Sequence, residues 1–188
     1  MNRKKFIALL PAAILSARGL AAQTPETKGK KMLIVYYSWS GNTRHIANLI
    51  KDFTKADVLE ILPEKPYPES YNQTVDIAKK EVDSEYKRPI KTEIPKLDDY
   101  GTILIGSPNW WGTISSPIRT FLAGSDLSGK RIAPFMTHEG SRMGRAERDI
   151  KTLCPNSEIL EALPVRGGSV RRANGEVEKW LERIKLGL

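Results

Sequence analysis

Short strand-like runs rich in apolar residues recur along this chain, and helical stripes separate them. The runs are "MLIVYY" (32–37), "DVLEIL" (57–62), "TILIG" (102–106), "RIAPFM" (131–136) and "EILEALPV" (158–165). The continuous run "MLIVYY" reads as a strand buried on both faces, and the other four read as further strands. Between the runs, apolar residues fall at helical spacing: Ile46, Leu49, Ile50 and Phe53; Tyr71, Val75, Ala78 and Val82; Ile118, Phe121 and Leu122; Ala146, Ile150 and Leu153; Val177, Trp180, Leu181 and Ile184. Strands buried on both faces need helices on both sides. Five strands alternating with helices predict a three-layer α/β domain around a doubly wound, five-stranded parallel sheet. Ser70, Ser116 (ahead of Pro117) and Asn174 read as helix caps. The Pro-rich "PEKPYPES" (63–70) reads as a loop, and residues 86–100 as extended chain punctuated by proline.

The first 22 residues follow a different rule. "MNRKKF" is basic, "FIALLPAAILSA" is apolar and "RGLAA" ends in small residues, the order of an export signal. Pro11 breaks the apolar run, which is short for a membrane span. The other reading is a retained N-terminal anchor, and no Cys lies at the boundary to carry a lipid. Cleavage near Ala21 or Ala22 leaves a polar leader (23–30) and a domain over 31–188. "NRKKFI" is similar to a twin-arginine signal with Lys4 in place of the second Arg. The expected location is outside the cytoplasm, periplasmic or secreted in a bacterium, with no stable membrane anchor after cleavage.

Charge and cysteine narrow the function. The 30 basic and 22 acidic residues give +8, and without the four cations of residues 1–22 the remainder is 26 against 22, or +4. No dense Lys/Arg run interleaved with aromatics appears, so nucleic acid is not the expected partner, and "VRRAN" near Arg171 reads as a solvated loop. Cys154 is the only cysteine, which excludes an internal disulfide and a cysteine-built metal site. Leu160 stands where a phosphatase-type cysteine loop needs Arg, so Cys154 reads as a helix-end thiol.

In a parallel sheet, ligands sit beyond the carboxyl ends of the strands. Three turns at those ends stand out: "SWSGNT", "SPNWWGTISSP" and "THEGSRMG". In the first, Gly41 allows successive amides to point into one concavity at a helix start, and Ser38, Ser40, Asn42 and Thr43 add short polar donors. No Gly-Lys-Ser/Thr is present, so this is not a nucleoside triphosphate loop. It reads as a phosphate cradle or as an ordinary capped turn. In the second, Trp110 and Trp111 sit on a loop between Pro108 and Gly112, where indoles either stack on a planar ring or pack over the sheet edge. In the third, Thr137, His138, Glu139 and Gly140 either bond a heterocycle's polar edge or form an exposed loop.

"YYSWSGNTRHIA" resembles the phosphate-binding signature of flavodoxins, T/S-x-S/T-G-x-T after the first strand. "YGTILIGSPNWWGTISSPIRTFL" and "DLSGKRIAPFMTHEGSRMG" are similar to the third- and fourth-strand segments of flavodoxin-like proteins, and "PYPESYNQTVDIAKKE" resembles the insert of one branch of them. The resemblance covers nearly everything from residue 31. It implies the strand order 2-1-3-4-5 and noncovalently bound flavin mononucleotide (FMN). The phosphate would lie at Ser38, Trp39, Ser40, Gly41, Asn42 and Thr43. The ring would lie between Pro108, Asn109, Trp110, Trp111 and Gly112 on one side and Thr137, His138, Glu139 and Gly140 on the other. A backbone carbonyl of Gly112 or its neighbour would face the ring's N5. The chain departs from ordinary flavodoxins in being basic and in beginning with the order of an export signal, which argues against docking to their usual basic reductases.

The leading expectation is an FMN-binding electron carrier between redox partner proteins. A second is an NAD(P)H-dependent FMN oxidoreductase reducing quinones or similar acceptors, although nothing resembles a dedicated nicotinamide site. A third is a non-redox module for a phosphorylated ligand, against which the Trp pair argues. Replacing Arg3 and Lys4 by Gln is expected to block export by the twin-arginine route; undiminished export would rule that route out.

Overall fold

The computed structural model describes residues 31–186. The export signal (1–22) and polar leader (23–30) expected from the sequence lie outside the described residues. The elements follow in the order β1 (Lys31–Tyr36), α1 (Asn42–Thr54), β2 (Asp57–Glu60), α2 (Tyr71–Asp83), β3 (Tyr100–Pro108), α3 (Ser116–Gly124), β4 (Arg131–His138), α4 (Ala146–Leu153), β5 (Glu158–Ile159), β6 (Leu163–Arg166), a 3-10 turn (Gly167–Arg172) and α5 (Asn174–Arg183). All pairings in the sheet are parallel, and its order is β2-β1-β3-β4-β5, with β6 also on β4. The expected three-layer sheet with order 2-1-3-4-5 is therefore the observed one.

The central strands bury both faces, as their composition requires. Alternate residues go to opposite sides because successive side chains of a strand point opposite ways. Leu33, Val35, Ile103, Ile105, Ile132 and Met136 join Ile118, Phe121 and Ile150 of α3 and α4 in one core. Ile34, Tyr36, Leu104, Ala133 and Phe135 join Ile46, Ile50, Val177, Trp180 and Leu181 of α1 and α5 in the other. At about 25 cal/mol per Å² of apolar surface removed from water, these two layers dominate the stabilisation.

The expected fifth strand is split. Ile132 of β4 faces Ile159, while Phe135 faces Leu163. Three steps along β4 thus match four along the edge, a bulge that bends the strand and starts β6. Two caps also differ by one residue. Ser115, not Ser116, precedes α3, because the Ser116 hydroxyl is spent on the carbonyl of Tyr86 at 2.5 Å. Asn174 is the first residue of α5 and Ala173 its cap. "VRRAN" is not a plain loop: Val170 and Ala173 are buried, and Arg171, Arg172 and Asn174 face solvent. Cys154 ends α4, buried, and burial pushes its thiol up to about 11, which keeps it unreactive.

Gly106 sits mid-sheet between Tyr36 and Phe135, its register partners on β1 and β4. A Cβ there would lie 2.2 Å from the Phe135 ring and 2.7 Å from the Tyr36 Cβ. The glycine lets the two aromatic side chains close over the central strand. Gly106→Ala is expected to destabilise the fold by about 1–3 kcal/mol through overpacking, read from denaturant unfolding. An unchanged midpoint would mean that Phe135 swings clear at no cost.

Candidate functional site

The carboxyl ends of β1, β3 and β4 open on a cleft of about 630 Å³. Its wall is built from the three turns. Trp39, Ser40 and Asn42 come from the first, Pro108 to Gly112 from the second, and Thr137, His138, Glu139 and Ser141 from the third. Ser38, Gly41, Thr43 and Gly140 are not part of this lining. A second cleft of about 470 Å³ lies across Trp39, and Ser38 borders that one.

The first turn is shaped by Gly41, whose φ of 89° is left-handed and disfavours any residue with a Cβ. Its carbonyl accepts the first helical bond, from the His45 N–H at 3.0 Å, so α1 starts at once. No carboxylate occupies the first turn of α1, leaving its free amides and positive dipole end available to an anion. The Thr43 hydroxyl is buried and meets the Thr137 hydroxyl at 2.8 Å, tying the first turn to the third. The Ser38 Oγ is buried and has no hydrogen-bond partner among the described residues. A buried hydroxyl in this condition costs free energy unless something bonds it.

The second turn hangs on Asn109. Its backbone N–H donates to Thr137 O at 2.7 Å, its Nδ2 donates to Arg142 O at 2.7 Å, and its Oδ1 accepts from Gly112 N at 3.0 Å. The two indoles that follow diverge. Trp110 forms a one-residue bridge with Thr113 and meets Tyr67 edge-on, centroids 4.7 Å apart, with Tyr37 at 5.7 Å. Trp111, at φ 51° and 51% exposed, donates its Nε1–H to Val75 O of α2 at 3.1 Å. Trp110 therefore joins the core with part of its ring and the cleft with the rest. The Gly112 carbonyl, expected with its neighbour's as the one to face the ring, accepts the Arg145 N–H at 2.7 Å. Asp149 supports this turn from below, accepting from Thr113 Oγ1 at 2.6 Å and Arg145 Nε at 3.1 Å, with Arg119 at 3.5 Å.

The wall that the motifs did not reveal is α2. Tyr71, Thr74, Val75 and Ala78 line the cleft, as does Gly167 from the 3-10 turn. The signal was present: Tyr71, Val75 and Ala78 form a helical stripe, which reads as a face buried on the sheet. Its first half faces the cleft, which leaves Tyr71 65% exposed, while Ala78 and Val82 are buried.

His138 ends β4 nine-tenths buried, so the exposed-loop alternative fails. Its Nδ1 accepts the Gly140 N–H at 3.0 Å, which places the ring proton on Nε2. Burial, then the nearby Arg142 and Arg166, hold its pKa below the ordinary imidazole value, against Glu139 and Glu176. The unfolded chain takes up this proton first as pH falls. Stability is therefore lost below the ordinary imidazole value of about 6.5 and until the folded group also protonates. His138→Gln is expected to flatten that loss, measured as the denaturation midpoint between about pH 7.5 and 5. An identical profile in both proteins would place the acid sensitivity elsewhere.

Comparison with known proteins agrees with this geometry. The flavodoxin family model matches residues 31–184. A flavoprotein from Lactobacillus acidophilus solved in complex with FMN is 27% identical, with 80% of this chain and 98% of that chain covered and a TM-score of 0.66. A protein from Bacteroides uniformis described among flavoproteins is 28% identical, with 82% and 99% covered and a TM-score of 0.73. A Fusobacterium nucleatum flavodoxin bound to FMN shares the fold at 14% identity and a TM-score of 0.53, over 83% of this chain and 97% of that one. No curated protein matches the chain. With the family model spanning β1 to α5, this chain belongs to the flavodoxin family.

Proposed function

We propose that the large cleft binds FMN noncovalently and that the protein carries electrons between redox partner proteins outside the cytoplasm. One observation carries the reading. The cleft runs from an anion-ready helix start at Asn42 to a wall holding Trp39, Trp110 and Trp111. A ligand with a phosphate at one end and a planar ring at the other suits both ends at once. The Ser38 hydroxyl, buried in the same turn without a partner among the described residues, fits a phosphate oxygen as its acceptor. FMN supplies one- and two-electron chemistry when bound, and the chain supplies binding, orientation and electrostatics.

Each group then has a task. Gly41, Asn42 and the α1 amides hold the phosphate without a cation, which suits a monophosphate that undergoes no transfer. Asn109 fixes the second turn against the third, so the ring's two flanks keep their spacing. His138, neutral and donating through Nε2, offers a hydrogen bond on the third side. Location outside the cytoplasm is supported by the basic, apolar, small-residue order of residues 1–22.

Flavin-free protein titrated with FMN and with riboflavin tests the binding. Ser38→Ala breaks no hydrogen bond of that hydroxyl among the described residues. It is expected to weaken FMN about ten- to a hundredfold, as loss of a bond to a charged group does, and to leave riboflavin unchanged. Failure to bind either flavin would sink the reading, and equal loss of both would mean the phosphate lies elsewhere. Steady NAD(P)H oxidation with a quinone and no helper reductase would replace the carrier by the oxidoreductase alternative.

A further inference from the structure

Residues 63–96 hold all three indoles of the cleft. Trp39 donates its Nε1–H to Pro68 O at 3.0 Å, and Trp111 donates its own to Val75 O at 3.1 Å. Trp110 has no such bond among the described residues; it is met edge-on by the Tyr67 ring at 83°, centroids 4.7 Å apart, and by the more distant Tyr37 ring at 5.7 Å. Tyr67 is itself held on two sides. Its hydroxyl donates to Glu81 Oε2, and the Arg88 guanidinium lies 4.0 Å from its ring centroid. Arg88 in turn grips Glu81 Oε1 through Nε at 2.8 Å and Nη2 at 2.6 Å. The frame is stapled to the domain through α3. Ser116 Oγ donates to Tyr86 O and accepts the Arg88 N–H at 2.9 Å, and Thr120 Oγ1 donates to Arg88 O at 2.7 Å.

Glu81 is 7% exposed, a carboxylate taken almost wholly out of water. Such a pair is a poor source of stability, since apolar side chains of similar volume often serve as well or better. What it supplies is geometry. Two Arg88 donors converge on Oε1 while Oε2 accepts the Tyr67 hydroxyl, so the carboxylate is held at both oxygens, and the object it fixes is the aromatic ring that abuts Trp110. Neither Glu81 nor Arg88 lines the large cleft. We propose that Glu81 and Arg88 are positioning residues for the ring end of the cofactor site, acting through Tyr67 on Trp110. This rests on the functional reading above, because it presumes that a planar ring lies against Trp110. Burial, followed by the Glu81 bond and charge, raises the Tyr67 phenol well above its ordinary range, so it remains a donor at all working pH values.

The ring half and the phosphate half of the ligand separate the proposal from a purely structural role. The variants are Arg88→Met, Tyr67→Phe and the double replacement Glu81→Met with Arg88→Met, which keeps packing while removing both charges. Each flavin-free protein is titrated with FMN and with riboflavin, and with inorganic phosphate as competitor for the other end. Thermal unfolding and near-ultraviolet circular dichroism of the indoles are recorded alongside. The expected result is an equal loss for both flavins, about tenfold, with phosphate competition unchanged and an altered indole signal, including in a double variant that unfolds no earlier than wild type. A folded double variant with wild-type riboflavin affinity and an unchanged indole signal would overturn the proposal. So would a loss confined to FMN. Wild-type protein that binds neither flavin overturns the functional reading instead, and is told apart because the defect is then present before any substitution.

Discussion

Burial of β1, β3 and β4 on both faces is the constraint on which everything else rests. A strand such as β3, buried from Gly101 to Ser107, cannot accept a solvent-facing side, so each neighbour must enter in the same direction through a helix that covers the sheet. Parallel entry sends every strand's carboxyl end to one edge. Three turns far apart in sequence therefore meet there with no further instruction. The Thr43–Thr137 hydroxyl pair spans 94 residues of chain yet closes at 2.8 Å, because β1 and β4 both flank β3. The close approach over Gly106 belongs to the same constraint. With no side chain on the central strand, Tyr36 and Phe135 shut the layer beneath the site.

The two ends of the cleft are made by different physics. At the α1 end, attraction comes from aligned backbone amides and short hydroxyls whose geometry is local to six residues. It needs Gly41 in a left-handed conformation and no carboxylate in the following turn. At the other end, orientation comes from long-range contacts: Asn109 with Thr137 and Arg142, Trp111 with α2, and Trp110 with Tyr67. The ordering entropy of these large side chains is offset only if several anchors act together. That explains the density of hydrogen bonds around residues 109–113 and the Asp149 hub beneath them.

This division sets what could be seen in the chain before its fold was known. The alternation of apolar runs and helical stripes is a property of single residues, and the sheet, its order and the three turns followed from it and from the family resemblance. Local signals were good to a residue or so, hence Ser115 for Ser116. The split of the fifth strand was hidden, because a bulge is a mismatch of count between two strands and "EILEALPV" carries only one of them. The divergence of Trp110 and Trp111 was equally hidden. Adjacent identical residues separate here because Trp111 takes a positive φ that sends its indole to α2. The bond to the Gly112 carbonyl from the Arg145 N–H, 33 residues on, was hidden as well. Residues 63–96 were the least legible part, since their meaning lies in side-chain pairs, Glu81 with Arg88 and with Tyr67, that no periodicity announces.

The irregular segment is consequently the part of this fold with the most freedom to set function. The α1 end must look as it does for any monophosphate held by amides, and the sheet must look as it does for any doubly wound domain. Nothing in either demands a buried carboxylate and guanidinium under a tyrosine. Replacing one partner alone would strand a charge at a cost of about 3–5 kcal/mol, so the pair stands or falls together and holds Tyr67 in one place while it stands. A cleft whose aromatic wall is fixed by such a pair admits a ring in one orientation and resists adaptation to others. The selectivity of the site for what lies against Trp110 is therefore decided beyond the cleft, by groups whose charges never face it.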